Sequence, residues 1–235
     1  MSARKDSEQR LYEYTGDEDY QIRRARFTER WAASLSRLAE EAGNPTERET
    51  ALIELVRLRV TAELTMWMHW NQDSIDKAAA AAEAYLAEFA DGENAYEVRL
   101  ARAVAGVMAP SPDNWFAPRS MWPEPRCAES LPVFEELSAA GTEDPWSLTA
   151  LGFKAVCLDR TDRSRRNEIR AAANEYLADE ELSSPYDMML RSELKVALWR
   201  VDGLPPFEAE GLNGETVTLA DFEGKVTLLD FWSPG

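Results

Sequence analysis

Cys127, Cys157 and His69 are the residues of this chain best suited to nucleophilic or redox chemistry, and each is the sole representative of its type in its neighbourhood. Thiol chemistry needs a thiolate, which proteins favour with a second cysteine at Cys-x-x-Cys spacing or a nearby positive charge. Cys127 and Cys157 are far apart in sequence and lack that spacing. Cys157 lies in the apolar run Ala155-Val156-Cys157-Leu158 and reads as an inert buried thiol, whereas Cys127 follows a proline-rich loop where a thiol could be exposed. A disulfide between them would require an oxidising compartment, and no targeting segment points to one. His69 is the only histidine, set in Met66-Trp67-Met68-His69-Trp70. It excludes a multi-histidine metal site and reads as a packed residue near a helix end. Acidic pairs such as Glu40-Glu41 and Glu135-Glu136 are adjacent along the chain and diverge around a helix, so they do not converge as paired acids. No glycine-rich phosphate loop is present, and no cofactor or metal is called for.

The elements that would position such groups are helical over residues 20–200. Phe27, Trp31, Leu35 and Leu38 share one face of a first helix, ended by Gly43-Asn44-Pro45. Thr46-Glu47-Arg48-Glu49 has capping-box form and opens a second helix to about Trp70, with Ala51, Leu55, Leu58, Ala62 and Met66 inward. A third helix follows Asp73 and stops at Asp91-Gly92; a fourth turns Val98, Ala101, Val104 and Met108 inward. Residues 109–125 carry Pro110, Pro112, Pro118, Pro123 and Pro125 among Trp115, Phe116 and Trp122. That composition forbids a regular helix and suits an ordered loop packed on its own domain or a partner-binding hook. Further helices are expected over 131–139, 146–158 behind Pro145, 165–178 and 186–199.

An internal repeat runs through this region. Ala80-Ala81-Ala82-Glu83-Ala84-Tyr85-Leu86-Ala87-Glu88 aligns with Ala171-Ala172-Ala173-Asn174-Glu175-Tyr176-Leu177-Ala178-Asp179, and each copy leads through a turn into another amphipathic helix. Two helix-loop-helix copies suggest a short α-solenoid resembling tetratricopeptide arrays, without that family's full consensus. The alternative is that Ala-Tyr-Leu recurs because it suits close helix packing.

Residues 201–235 change character. Asn213-Gly214 is a tight-turn signal, both residues tolerating positive φ, and it separates the run from Phe207 to Gly211 from Thr216-Val217-Thr218-Leu219. Gly224-Lys225 marks a second turn. Val226 to Phe231 is then nearly continuously apolar, as in a sheet-centre strand covered on both faces.

Pro206-Phe207, Asn213-Gly214, Leu219 to Lys225 and Leu228 to Trp232, in this order and spacing, resemble the opening of the membrane-tethered thiol-disulfide reductase branch of the thioredoxin superfamily. The resemblance implies a strand, a hairpin turn, a Leu-x-Asp-Phe-x-Gly-Lys step and a strand ending in Phe-Trp. It implies that Trp232, Ser233, Pro234 and Gly235 belong to the active-site loop, and that the first cysteine of Cys-x-x-Cys would take the position after Gly235. Asp230, immediately before Phe231-Trp232, would relay protons to the buried thiol of that pair, a task suited to a carboxylate whose pKa burial has raised. Read without the resemblance, Asp230 is a strand-edge carboxylate in solvent and Trp232 is core. Peroxiredoxins open similarly but usually lack the Phe-Trp ending.

The formal charge of −17 over 235 residues opposes binding to nucleic acid or an anionic membrane surface, and 45% hydrophobic content suits a globular core. Arg23-Arg24-Ala25-Arg26 and Arg163-Ser164-Arg165-Arg166 are interleaved with acids and read as solvated faces. Residues 1–20 lack the apolar core of a signal peptide, which implies a cytoplasmic protein if Met1 is the true start. The expected fold is mainly α: a polar tail over 1–19, a helical repeat domain over 20–200, and over 201–235 the hairpin and first central strand of a truncated thioredoxin-like α/β domain. The expected function is that of the N-terminal portion of a thiol-disulfide oxidoreductase, inactive as this chain stands, with protein partners or disulfide substrates. The alternative is a helical binding scaffold without enzymatic activity.

Overall fold

A computed structural model describes residues 17–60, 72–108, 124–139, 141, 145–179, 184–203, 206–211 and 213–224. Among these residues the chain is mainly helical. It forms α1 (Asp17–Glu41), α2 (Pro45–Arg59), α3 (Gln72–Phe89), α4 (Ala95–Val107), α5 (Glu124–Ser138), α6 (Pro145–Thr161), α7 (Arg166–Ala178) and α8 (Asp187–Asp202). A small antiparallel pair, β1 (Glu208–Glu210) and β2 (Thr216–Thr218), follows.

The helices alternate in role. Among the even-numbered helices α2 packs on α4, α4 on α6 and α6 on α8, and every odd helix packs on the even helices beside it in sequence. Their sequences explain this. On α4, Val98, Leu100, Ala101, Ala103, Val104, Ala105 and Val107 are buried, and only Arg99, Arg102 and Gly106 are exposed. On α2, Ala51, Leu52, Ile53, Leu55, Val56 and Arg59 are buried. A helix buried over so wide a face needs neighbours on more than one side, so these become the inner row.

On the flanking helix α1 the expected stripe is displaced by one position. Thr28, Ala32, Leu35 and Ala39 face inward, while Trp31 is 41% and Leu38 57% exposed. Of the four residues assigned to the buried face, Leu35 is buried and Phe27 half-buried. Small residues at 32 and 39 let α1 sit close on α2, and this proximity outweighs the larger apolar area that Trp31 and Leu38 would bury.

Helix ends show similar local corrections. Thr46 lies inside α2, and the cap is Asn44, whose side chain accepts from the Glu47 amide at 2.9 Å. Glu47 in turn accepts from the Gly43 amide at 3.1 Å. Pro45 explains the shift, because it has no N–H to satisfy and suits the first helical position. Helix α5 begins at Glu124, not near Leu131, and continues through Pro132. Tertiary packing overrides the proline: Cys127, Ser130, Phe134 and Leu137 form a buried stripe against α6. Cys127, which the sequence left open to exposure beside the proline-rich stretch, is thereby fully buried.

The two repeat copies occupy matching environments. Ala82 and Ala173 are fully buried, as are Tyr85 and Tyr176. The Tyr85 hydroxyl donates to Glu49 at 2.6 Å and that of Tyr176 to Asp187 at 3.2 Å. Burial, then the neighbouring carboxylate, pushes the Tyr85 phenol up to about 12. In both copies an alanine pair allows close approach and a tyrosine bonds to a carboxylate on an even-numbered helix. The carboxylate comes from α2 before the first copy and from α8 after the second.

In the hairpin, Glu208 pairs with Thr218, Ala209 with Val217 and Glu210 with Thr216. The Gly211 amide donates to the Glu215 carbonyl at 2.7 Å, and the Gly214 amide to the Gly211 carbonyl at 2.9 Å. Gly214 has φ 79°, whereas Asn213 is not at positive φ. The connection is therefore longer than the two-residue turn in which both residues would be left-handed.

Candidate functional site

Helices α3, α4 and α5 bound an open groove of about 800 Å³. Ala79 on α3 and Ala103 and Gly106 on α4 leave it deep, since small side chains there let solvent reach between the helices. Its walls carry Arg99 and Arg102 from α4, Arg126 from α5, and acids that include Glu83 and Glu136. Arg102 bridges to Glu83 at 3.2 Å and Arg99 approaches Glu136 at 4.0 Å. Arg126 donates to the Met108 carbonyl and, at 3.4 Å, to the Gln72 side chain. It thus ties the end of α4 to the starts of α3 and α5.

These arginines belong to no motif recognised from sequence, yet a signal exists. Arg99 and Arg102 are three apart on α4 and both exposed, at the border of the buried stripe Val98, Ala101 and Val104. A basic pair of that spacing flanked by a buried stripe faces outward together. The pairing of charges across the groove suits a ligand carrying both signs, such as a polypeptide, better than a polyphosphate. Among the described residues, no group of three or more His, Cys, Asp or Glu is placed to hold a metal ion, and no helix is long and apolar enough to cross a membrane. The groove holds neither cysteine, and the chain's one histidine lies outside the described residues. It has the makings of a recognition surface.

A second charged cluster joins α1, α2 and α3. Arg59 grips the Glu29 carboxylate with two hydrogen bonds of 3.0 Å, and Lys77 adds a contact at 2.9 Å while also pairing with Asp73 at 2.7 Å. The hydrogen bonds from Arg59 and then Lys77 lower the Glu29 carboxyl from 4.5 to about 2. A carboxylate more acidic in the folded state stabilises the fold above its unfolded pKa and loses that contribution as pH falls through its folded one. Glu29 is about half exposed, so the effect is moderated by solvent. Between pH ~5 and ~2, the urea midpoint of the native chain should fall more steeply than that of Glu29→Gln, and high salt should narrow the difference. Parallel pH profiles for the two proteins would contradict the assignment.

The residues that the sequence singles out for redox chemistry, Asp230, Trp232, Ser233, Pro234 and Gly235, lie outside the described residues, as do Trp115, Phe116, Trp122 and His69. The approach to the expected redox loop is described as far as Gly224. After β2, Leu219–Phe222 forms a 3-10 turn capped by Thr218, whose amide and hydroxyl both donate to Asp221, at 2.7 and 2.9 Å. The Phe222 ring stacks on Phe207 at 6.1 Å, joining the turn to the start of β1 at the open end of the hairpin, and Gly224 has φ 74°. Leu219, Asp221, Phe222 and Gly224 of the Leu-x-Asp-Phe-x-Gly-Lys step thus each take part in one compact turn.

Compared with known proteins, the chain matches no protein-family model, no curated protein and no solved structure.

Proposed function

We propose that this chain carries a helical interaction domain joined to the opening of a thioredoxin-like thiol-disulfide oxidoreductase domain. The observation that carries the reading is the compact hairpin and capped turn over residues 207–224, built from the residues that make up the resemblance. In a thioredoxin-like domain such a unit precedes the central strand that delivers the reactive dithiol. That strand would be residues 226–231, with Asp230 as the proton relay and Trp232 to Gly235 leading into the active-site loop. The dithiol itself is not among the 235 residues, so activity requires a Cys-x-x-Cys pair encoded after Gly235. Its thiolate would attack a substrate disulfide and the second cysteine would resolve the mixed disulfide.

The helical part reads as a short α-solenoid of tetratricopeptide-like build. Support comes from the regular alternation of inner and flanking helices and from the matching Ala-Ala-x-x-Tyr environments of α3 and α7. Stacked helix pairs of this kind present extended grooves, and the one along α3, α4 and α5 would select protein partners or substrates for the redox domain.

The groove also favours the second reading, a helical-repeat scaffold that binds a partner and catalyses nothing. One measurement separates them: the intact mass and thiol count of the protein as its native host makes it, followed by a disulfide-reduction assay. The redox reading expects a product heavier than 26.5 kDa with at least two thiols beyond Cys127 and Cys157, and turnover that is lost when the first added cysteine is changed to serine. A product of 26.5 kDa with two thiols and no turnover leaves the scaffold.

A further inference from the structure

Helices α5 and α6 run antiparallel, so residues early in one meet residues late in the other. At one end the Ser147 hydroxyl donates to the Leu137 carbonyl at 3.1 Å, and in the middle Phe134 stacks on Phe153 at 5.3 Å. At the other end the Cys157 thiol donates to the Cys127 sulfur across only 2.9 Å. Both cysteines are fully buried. Two thiols that are thirty residues apart in sequence have thus been brought together by the register of a helix pair. That register is held at two other points as well, so the packing of the helix pair itself sets the two sulfurs side by side.

We propose that Cys127 and Cys157 are a redox-modification site that closes to an intramolecular disulfide, stapling α5 to α6. The oxidant is of the disulfide class, either a low-molecular-weight disulfide or the oxidised dithiol of another protein. One cysteine, as its thiolate, attacks a sulfur of the oxidant, forming a mixed disulfide and expelling one oxidant thiolate. The other cysteine then attacks the protein sulfur of that mixed disulfide and expels the second oxidant thiolate. The protein loses two electrons, and the protons of its two thiols end on the two reduced oxidant thiols. This site goes beyond the proposed function, since it lies wholly within the helical domain and does not involve the dithiol expected after Gly235.

The geometry also sets when the reaction occurs. The hydrogen bond to Cys127 and then burial hold the Cys157 thiol well above the ordinary thiol range, so it stays protonated in the closed fold. Exchange therefore proceeds during folding or through transient parting of α5 from α6, and the bridge, once closed, is shielded from reductants by the same burial. Closing this segment restricts the unfolded chain and raises the unfolding temperature.

The test uses the full 235-residue chain, purified reduced, with oxidised glutathione as the probe. Oxidation is carried out both on the native protein and at a urea concentration just below the unfolding transition. Samples are then unfolded without reductant, alkylated and weighed intact. The native sequence should lose both alkylatable thiols in at least one condition, carry no glutathione, and yield a linked peptide containing Cys127 and Cys157. Cys127→Ser and Cys157→Ser should each end with one free thiol or one glutathione adduct, and the two variants guard against one failing to fold. The bridged protein should melt about 5–10 °C above its reduced form. Retention of both thiols in both conditions, two glutathione adducts on the native sequence, or a bridge that leaves the melting point unchanged or lower would overturn the proposal.

Discussion

Phe153→Ala should destabilise the helical array by about 3–5 kcal/mol, the largest effect expected of any single truncation here. Phe153 is fully buried on α6, stacked on Phe134 of α5 at 5.3 Å and meeting Tyr186, just before α8, edge-on at 5.5 Å. Removing the ring deletes apolar burial and leaves a cavity at a point where elements from three parts of the sequence converge. Those neighbours cannot collapse into it easily. Gly152, the adjacent residue, is already so tight that an added Cβ would meet Leu190 at 2.7 Å and Tyr176 at 2.9 Å. Urea unfolding followed by far-ultraviolet circular dichroism reads the loss as a lower midpoint. Phe153→Leu, which keeps most of the volume, should lose less than half as much. Equal losses for the two variants, or a loss below about 1 kcal/mol for alanine, would show that the aromatic cluster is not a packing centre.

Asp159→Ala should cost about 2–4 kcal/mol, for an electrostatic reason instead of a volumetric one. The Asp159 side chain is almost wholly buried near the end of α6. It accepts a hydrogen bond from Arg200 of α8, and its other oxygen lies 3.3 Å from the Arg163 guanidinium. That second oxygen has no hydrogen-bond partner, so the carboxylate depends heavily on Arg200. Truncation to alanine leaves Arg200 without its acceptor and loosens α8 from α6. Asp159→Asn keeps the shape and an acceptor while losing the charge, and should fall between native and alanine. Arg200→Ala should be at least as damaging as Asp159→Ala, because it strands the more buried partner. Urea midpoints for the three variants and the Asp159→Ala/Arg200→Ala double variant test this. Additive losses in the double variant would mean that the pair is not coupled.

Much of the helical architecture is legible in the amino-acid sequence. The helix around Trp146–Leu158 behind Pro145, and the stripe Val98, Ala101, Val104 and Met108, follow from local chemistry and apolar period, and the fold has them. The Ala-Tyr repeat is visible in the sequence as well, and the fold buries Tyr85 and Tyr176 alike. Expectation and fold part where two local signals compete. On α1, the larger residues Trp31 and Leu38 suggest the buried face, but small Ala32 and Ala39 occupy it, because the approach of α2 rewards closeness over residue size. On α5, the proline run ending at Pro125 argues for a start near Leu131, yet the helix begins at Glu124, with Pro125 in its first turn where the missing N–H costs nothing, and packing on α6 carries it through Pro132. At α2, Thr46 matches the capping pattern, but Pro45 moves the cap back to Asn44.

The candidate sites divide along the same line. Residues 207–224 form their turn from local signals, the positive φ of Gly214 and Gly224 and the cap of Thr218 on Asp221, so their pattern is visible in sequence. The groove and the thiol pair depend on which helices become neighbours. Arg99 and Glu136 come from different helices, and Cys127 and Cys157 are thirty residues apart. Sequence by itself determined the helical period, most of the turns and the surplus of negative charge, because these depend on residues within a few positions of one another or on simple totals. The apolar run around Cys157 already marked that thiol as buried; only the tertiary structure decided that Cys127 is buried too and that the two are in contact, since helix register is set by the fit of whole apolar faces and not by any residue's immediate neighbours.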